Sequence, residues 1–229
     1  MTDAMTTITP AMEDYLKIIF GLEEIGERIT TQAIAEQMNV AAPSVTGMIK
    51  RLHDLNLVDH APYRGVTLTE AGRKVALEVV RHHRLLELYL ADALGYSWDE
   101  VHDEADRMEH TISEEFEARI DEALGFPTHD PHGDPIPTLS GDLPKSKHRR
   151  LSDLEDGQKA TVVRIFHDDS ERLRYLGQLG LYPNSTLTVI EKMPFNGPLR
   201  IQVEDEEHVI GLDLASDVYI ELASPTDGR

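Results

Sequence analysis

A chain of 229 residues exceeds the ~150 typical of one domain, so two compact units, or one unit and a module, are expected. Its 22 Lys/Arg against 42 Asp/Glu give a net charge of −20, and it has no cysteine, which excludes disulfide scaffolds, thiolate metal sites, cysteine nucleophiles and thiol redox sensing. No run approaches the ~18 apolar residues of a membrane helix, and the first ten residues lack a secretory pattern, so a soluble, cytoplasmic protein with no membrane partner is expected.

The acid is unevenly placed. Met1 to Lys74 holds 7 basic and 10 acidic residues, a net −3, which leaves −17 for the rest. Pro43 to Lys74 is locally +2, whereas Tyr96 to Leu124 has 11 acidic residues against Arg107 and Arg119 alone. Such an acidic helical stretch is either a solvated face or a cation site.

In chain order, Thr9 as a cap, Pro10 at the first helical position and the stripe Tyr15, Ile18, Ile19, Leu22 predict a helix to about Glu24. A short helix over Thr31 to Met38 ends at Asn39, and Pro43 opens another over Ser44 to Leu55 with Val45, Met48, Ile49 and Leu52 inward. Helix, tight turn and helix is a DNA-binding arrangement. Leu57 to His60 and Val66 to Leu68 are β-prone runs around a Pro/Gly turn and read as a wing. Thr69 then caps a long helix, Glu70 to Leu94, closed by Gly95. Ser97-Trp98-Asp99-Glu100 has the form of a capping box, so a further helix is expected from Trp98, and Ser113 caps another that ends before Gly125. Phe126 to Arg150, rich in Pro, Gly, Asp and His and then basic, reads as loop and linker, in which His129 and His132 could be ligands but are more often exposed loop histidines. Short β-prone runs at Ala160 to Phe166, Thr186 to Glu191, Leu199 to Val203, His208 to Gly211 and Val218 to Leu222, with a helix over Ser170 to Leu179, suggest a small barrel. The tail is read as disordered.

The chemistry concentrates on the acidic stretch. On the helix expected there, His102, Asp106, Glu109 and His110 sit at about 0°, 40°, −20° and 80°, within one narrow arc. His102 and His110 would lie ~12 Å apart along the axis, too far for one ion, so two adjacent sites fit better. Asp106, Glu109 and His110 would form the first, with Asp14 from the first helix. His102 would join His83 and Glu87, an i, i+4 pair, in the second. There is no His-Glu-x-x-His, no phosphate-binding glycine loop and no nucleophile beside a partner, so an enzyme is not expected.

With these residues in view, the chain resembles the diphtheria toxin repressor and iron-dependent regulator family, in particular its manganese-sensing members. The resemblance rests on Met12-Glu13-Asp14-Tyr15-Leu16, Ala42-Pro43-Ser44-Val45-Thr46, Tyr63-Arg64-Gly65, His83-Arg84-Leu85-Leu86-Glu87, Val101-His102-Asp103-Glu104-Ala105 through Glu109-His110, and Pro131-His132-Gly133-Asp134-Pro135-Ile136-Pro137. It implies a mainly α chain with a small β module: a winged helix-turn-helix over 1–74, a helical metal and dimerisation domain over 75–140, a linker over 141–150, an SH3-like barrel over 151–224 and a tail over 225–229. It also implies a primary metal site at Asp14, Asp106, Glu109 and His110 and an ancillary site at His83, Glu87 and His102. The SH3-like module would contribute Asp169 or, next, Glu171; Arg172 stands where the family has a glutamine.

Iron-type members place Met and Cys where this chain has Asp14 and Asp106. Oxygen ligands favour Mn(II), with Fe(II) second, at two ions per chain. Lys17 replaces the glutamate of the small manganese sensors, so separate sites are expected rather than a paired-ion centre. The expected function is metal-dependent repression by a homodimer on palindromic operator DNA. Pro43, Ser44, Thr46, Lys50 and Arg51 would meet the major groove, and Tyr63 and Arg64 of the wing the phosphates. The alternative is a winged-helix regulator indifferent to metal.

Overall fold

The computed structural model describes residues 8–26, 28–61, 65–144, 148–166 and 169–223. The wing contacts expected of Tyr63 and Arg64, and the tail over 225–229, lie outside these residues. The chain divides into two units: one runs up to His83 and takes in 108–113 and 137–142, and the other comprises 84–107, 114–136 and the chain from 143 onward.

The first unit opens with α1 (Pro10–Ile25), which buries Met12, Tyr15, Leu16, Ile19 and Phe20. Thr9 occupies the N-cap position, but its side chain makes no cap; its carbonyl accepts from the amides of Met12 and Glu13 instead. Helix α2 (Thr31–Gln37) is capped by the Thr30 hydroxyl, which accepts from Ala33 N at 3.1 Å. Asn39, in the left-handed region at φ 50°, turns the chain into α3 (Ala42–Asp54). That helix buries Val45, Ile49 and Leu52; Met48 is only half-buried. Strands β1 (Val58–Ala61) and β2 (Gly65–Leu68) pair antiparallel from Val58↔Leu68 to Ala61↔Gly65, which is the wing. The Glu23 carboxylate, at the end of α1, accepts from Leu68 N at 2.9 Å and pairs with Arg73.

Helix α4 (Glu70–Leu94) has the expected limits. The Thr69 hydroxyl accepts from Gly72 N at 3.0 Å, and Gly95, at φ 74°, ends it. Gly72 packs so closely on the preceding loop that a Cβ would stand 1.9 Å from the Leu57 carbonyl oxygen.

Two expectations fail in the acidic stretch. Residues 98–100 form a turn, and α5 spans only Val101–Met108, because the Ser97 hydroxyl turns to Asp99 rather than completing a box with Glu100. Glu109 and His110 therefore lie on the turn after α5, not on its arc, and Thr111 closes that turn through its amide and hydroxyl to the Met108 carbonyl. Helix α6 (Glu114–Ala123) follows Ser113 as expected.

The C-terminal module is a six-stranded antiparallel sheet in the order β3-β8-β4-β5-β6-β7, an open SH3-like barrel. Its strands are β3 (Arg149–Arg150), β4 (Lys159–Ile165), β5 (Thr186–Lys192), β6 (Leu199–Val203), β7 (Glu206–Ile210) and β8 (Val218–Leu222). Helices α7 (Ser170–Gln178) and α8 (Leu212–Ala215) complete it. Alternate strand positions, among them Val162, Val189, Leu199, Ile201, Val218 and Ile220, fill the core with Leu173 and Leu176 of α7. The stretch read as linker thus ends in a paired strand.

The part of that stretch read as open loop is also ordered. Residues 128–136 fold on themselves through Ile136 N to Thr128 O and Asp130 N to Asp134 O, and dock on β4 through Ile165 N to His132 O at 2.8 Å. The register of β4 against β8 shifts at Val163. Gly133, at φ 88°, fits against this bulge so tightly that a Cβ would lie 2.1 Å from Val163 O. Contrary to expectation, His132 is fully buried, whereas His129 is exposed.

Candidate metal centre

In the first unit, α1 brings Asp14 to the turn that carries Glu109 and His110, and potential ligand atoms of all three lie within 4.8 Å of one another. His110 Nε2 is 2.7 Å from Asp14 Oδ1 and 3.4 Å from Glu109 Oε1, while its Nδ1 is 2.6 Å from Glu13 Oε2. An imidazole that donates Nδ1–H to a carboxylate turns the lone pair of Nε2 toward the other two acids, the usual orientation of a metal-binding histidine. Glu13 was not assigned a role from sequence; its place one residue before Asp14 is the only signal that could have found it.

Glu109 is held from several sides. His82 Nδ1 donates to its backbone oxygen at 3.0 Å, and its Oε2 lies 2.7 Å from Lys17 Nζ and 2.6 Å from His83 Nδ1. The glutamate side chain is 1 % exposed, so a buried negative charge must be balanced, and Lys17 with His83 supplies the balance. This donor set fits a divalent ion: two carboxylates and one oriented imidazole converge where a cationic amine already sits against one of them.

In the second unit, Glu87 is fully buried on α4, and its Oε1 is 3.1 Å from His102 Nδ1. His102 Nε2 is 3.7 Å from Asp106 Oδ2. The structure thus brings Glu87, His102 and Asp106 together here, and Asp14, Glu109, His110 and His83 together in the first unit. Asp169 caps α7 by accepting from the amides of Glu171 and Arg172, and neither Asp169 nor Glu171 belongs to a ligand cluster among the described residues. Arg172, in place of the family's glutamine, pairs with Asp213 and Asp217 of its own barrel, and a guanidinium offers no lone pair to a metal.

A further cluster on this unit joins Glu87 and His132, both raised from sequence as possible ligands, to Asp130, which was not; all three are buried, with ligand atoms within 4.8 Å of one another. Burial, with the neighbouring charges of Asp134 and Glu87, pushes the Asp130 carboxyl up to about 8. Burial pulls the His132 imidazole down, but Glu87 outweighs it and raises it above its ordinary value.

Helix α3 exposes Pro43, Ser44, Thr46, Lys50 and Arg51 on the side opposite Val45, Ile49 and Leu52. The Thr46 hydroxyl donates to Ala42 O at 3.1 Å, so part of its hydrogen bonding is spent on its own helix. No helix among the described residues is long and apolar enough to cross a membrane.

A winged helix-turn-helix whose first helix carries part of a carboxylate–imidazole cluster defines a class of cation-responsive DNA-binding proteins. Three family models cover most of the chain: the iron dependent repressor N-terminal DNA binding domain over residues 7–66, the iron dependent repressor metal binding and dimerisation domain over 69–138, and the FeoA domain over 149–222. The iron-dependent repressor IdeR of Mycobacterium leprae is 33% identical, with 95% of this chain and 99% of that protein covered. The diphtheria toxin repressor of Corynebacterium efficiens is 31% identical over 91% of this chain and 97% of that one. Among solved structures, a manganese-dependent transcriptional repressor in complex with manganese superposes with a TM-score of 0.87 at 39% identity, covering 93% of this chain and all of that chain. The manganese regulator SloR does so at 0.78 and 36%, over 94% of this chain and all of its own. The chain belongs to the iron-dependent repressor family of metal-dependent transcriptional regulators.

Proposed function

We propose that this protein is a manganese-responsive repressor that binds palindromic operator DNA as a homodimer in the cytoplasm, controls metal-homeostasis genes and carries two ions per chain, with Fe(II) as the second candidate ion. The observation that carries the reading is His110, with Nδ1 on Glu13 and Nε2 facing Asp14 and Glu109, because it joins the first helix of the DNA-binding fold to a metal-type ligand set. Sequence adds Asp106 to the primary set and assigns His83, Glu87 and His102 to the ancillary one, with Asp169 or Glu171 as a further donor. Mn(II) is favoured by the oxygen-rich donors.

An ion held by Asp14, Glu109 and His110 would fix α1 against the 109–111 turn. In its absence Asp14 and Glu109 repel, opposed by the contacts of Lys17, Glu13 and the histidines. The ion acts by binding one arrangement more tightly than the others. On DNA, Ser44 and Thr46 would approach base edges while Lys50, Arg51 and the wing residues Tyr63 and Arg64 neutralise phosphates.

The test is Glu109→Gln, which keeps the shape of the side chain and removes its charge. Operator binding, read by electrophoretic shift across a Mn(II) series, should then require about 100-fold more Mn(II) or fail, with circular dichroism unchanged. DNA binding at wild-type Mn(II) levels, or binding unaffected by chelator in the wild type, would make this a regulator indifferent to metal.

A further inference from the structure

Glu87, Asp130 and His132 meet inside the second unit, and of the three only Glu87 was assigned to a metal site from sequence. Asp130 and Asp134 belong to the loop that docks on β4, and Glu87 to α4, so the cluster lies where the loop meets the helix. His132 Nε2 lies 2.7 Å from the Trp98 carbonyl oxygen. A carbonyl only accepts, so Nε2 is the donor there and Nδ1 is the ring nitrogen turned toward Glu87. That nitrogen stands 3.7 Å from Glu87 Oε2, with both side chains fully buried.

Asp130 is arranged in a similar way. Its Oδ1 accepts from the amides of His132 and Asp134 at 2.8 and 2.9 Å. Its Oδ2 is shut off from solvent and has no hydrogen-bond partner among the described residues. The nearest cation is Arg84, whose Nε is 3.8 Å away and whose other nitrogens go to Asp134 and the Pro135 carbonyl. Arg164 is taken by Asp134 at 2.8 Å. A dry carboxylate oxygen without a partner is costly, and the neighbouring carboxyls of Asp134 and Glu87 add repulsion.

One change relieves both. Two ligand bonds of about 2.1 Å, opened to about 120°, span a nitrogen-to-oxygen distance of 3.7 Å. We infer that Glu87, Asp130 and His132 form a further divalent-cation site, in which Glu87 bridges, with Oε1 toward His102 and Oε2 toward the buried ion. One nitrogen and two oxygens suit a first-row divalent ion such as Mn(II) or Zn(II). The ion would clamp the 128–136 loop, and with it β4 of the barrel, to α4. This site stands on its own geometry and does not depend on the regulatory reading above.

The test counts ions on the full chain. Metal-stripped protein is equilibrated with excess Mn(II) or, separately, Zn(II), desalted and assayed by mass spectrometry for metal per chain. Asp130→Asn keeps the Oδ1 acceptor of the turn, and His132→Gln keeps a donor for Trp98 O. Each should hold one ion fewer than the wild type, whereas Glu109→Gln loses a different ion and leaves this one in place. Wild-type stoichiometry in both variants overturns the site. If both unfold, wild-type crystals soaked in Mn(II) decide: an anomalous peak between Glu87 and His132 supports the site, and its absence overturns it. Should the wild type fail to bind DNA with Mn(II) yet lose an ion on Asp130→Asn, the regulatory reading falls and this site stands.

Discussion

Lys17 is the side chain whose role changes most between sequence and structure. As a residue type it is one more cation on a helix, but its ammonium sits 2.7 Å from the buried Glu109 and 2.9 Å from His83. It neutralises the carboxylate in the metal-free protein and must yield when an ion takes that carboxylate. Lys17→Met should therefore lower the melting temperature of the metal-free protein while tightening Mn(II) binding by about tenfold, or roughly 1.4 kcal/mol. Calorimetric titration of wild type and variant reads this directly; equal affinities would mean that Lys17 does not compete with the ion. Asp14, Glu109, His110 and the His83–Glu87 pair were legible as potential ligands because their residue types and spacing are unusual together. Glu13 and Asp130 were not, since a carboxylate beside a ligand, or in a Pro/Gly-rich loop, looks like any solvated acid until the fold closes over it.

Among the elements, α4 was legible to the residue and α5 was not. The limits of α4 are set locally, by the Thr69 cap and by Gly95 in the left-handed region. The end of α5 is set from a distance. No glycine or proline stops the helix at Met108; instead His82 takes the Glu109 carbonyl, and His83 and Lys17 take its side chain, which hold the next residues in a turn. The ligand arc expected of one long helix is therefore replaced by a turn that turns His110 toward α1.

Packing at the start of α4 gives a test of the same kind. A Cβ at Gly72 would lie 1.9 Å from the Leu57 carbonyl, so Gly72→Ala should destabilise the protein by about 1–3 kcal/mol despite alanine's better helix propensity. Urea unfolding measures it. A gain in stability would mean that the loop before β1 yields without cost.

At the scale of the molecule, linkage constrains what the ion can do. If Mn(II) tightens operator binding by a given factor, operator DNA must tighten Mn(II) binding by the same factor. Titrating Mn(II) with and without operator should show that equality; an affinity unchanged by operator, alongside Mn(II)-dependent DNA binding, would place the ion's effect outside this equilibrium. With −20 per chain, the two ions proposed would offset four charges and leave the protein acidic, so DNA binding would rest on locally basic surfaces such as α3.

Acid stability has its own marker in Asp99. Burial alone would raise its carboxyl, but the Ser97 hydroxyl and the Arg174 guanidinium, 2.9 Å away, hold it below the usual aspartate range. Because the folded value is depressed, the stabilisation is present above about pH 4 and is lost as pH falls through the folded value. Asp99→Asn should flatten the acid limb of stability below about pH 4. Arg174 is half-exposed, so the loss at neutral pH should be only about 0.5–1 kcal/mol. Unfolding curves across that pH range check both; an unchanged acid limb would show that other carboxylates dominate it.

The sequence by itself determined the elements whose signals are local: the periodicity of α1 and α3, the Thr69 cap and Gly95 stop of α4, the strand alternation of the barrel and the set of residue types able to hold a hard cation. Tertiary structure decided which of those residues meet, because convergence in space depends on where helices stop and loops dock. It ended α5 through contacts from α4 and α1, buried His132 against the bulge at Val163, and closed Asp130 away from water beside Glu87.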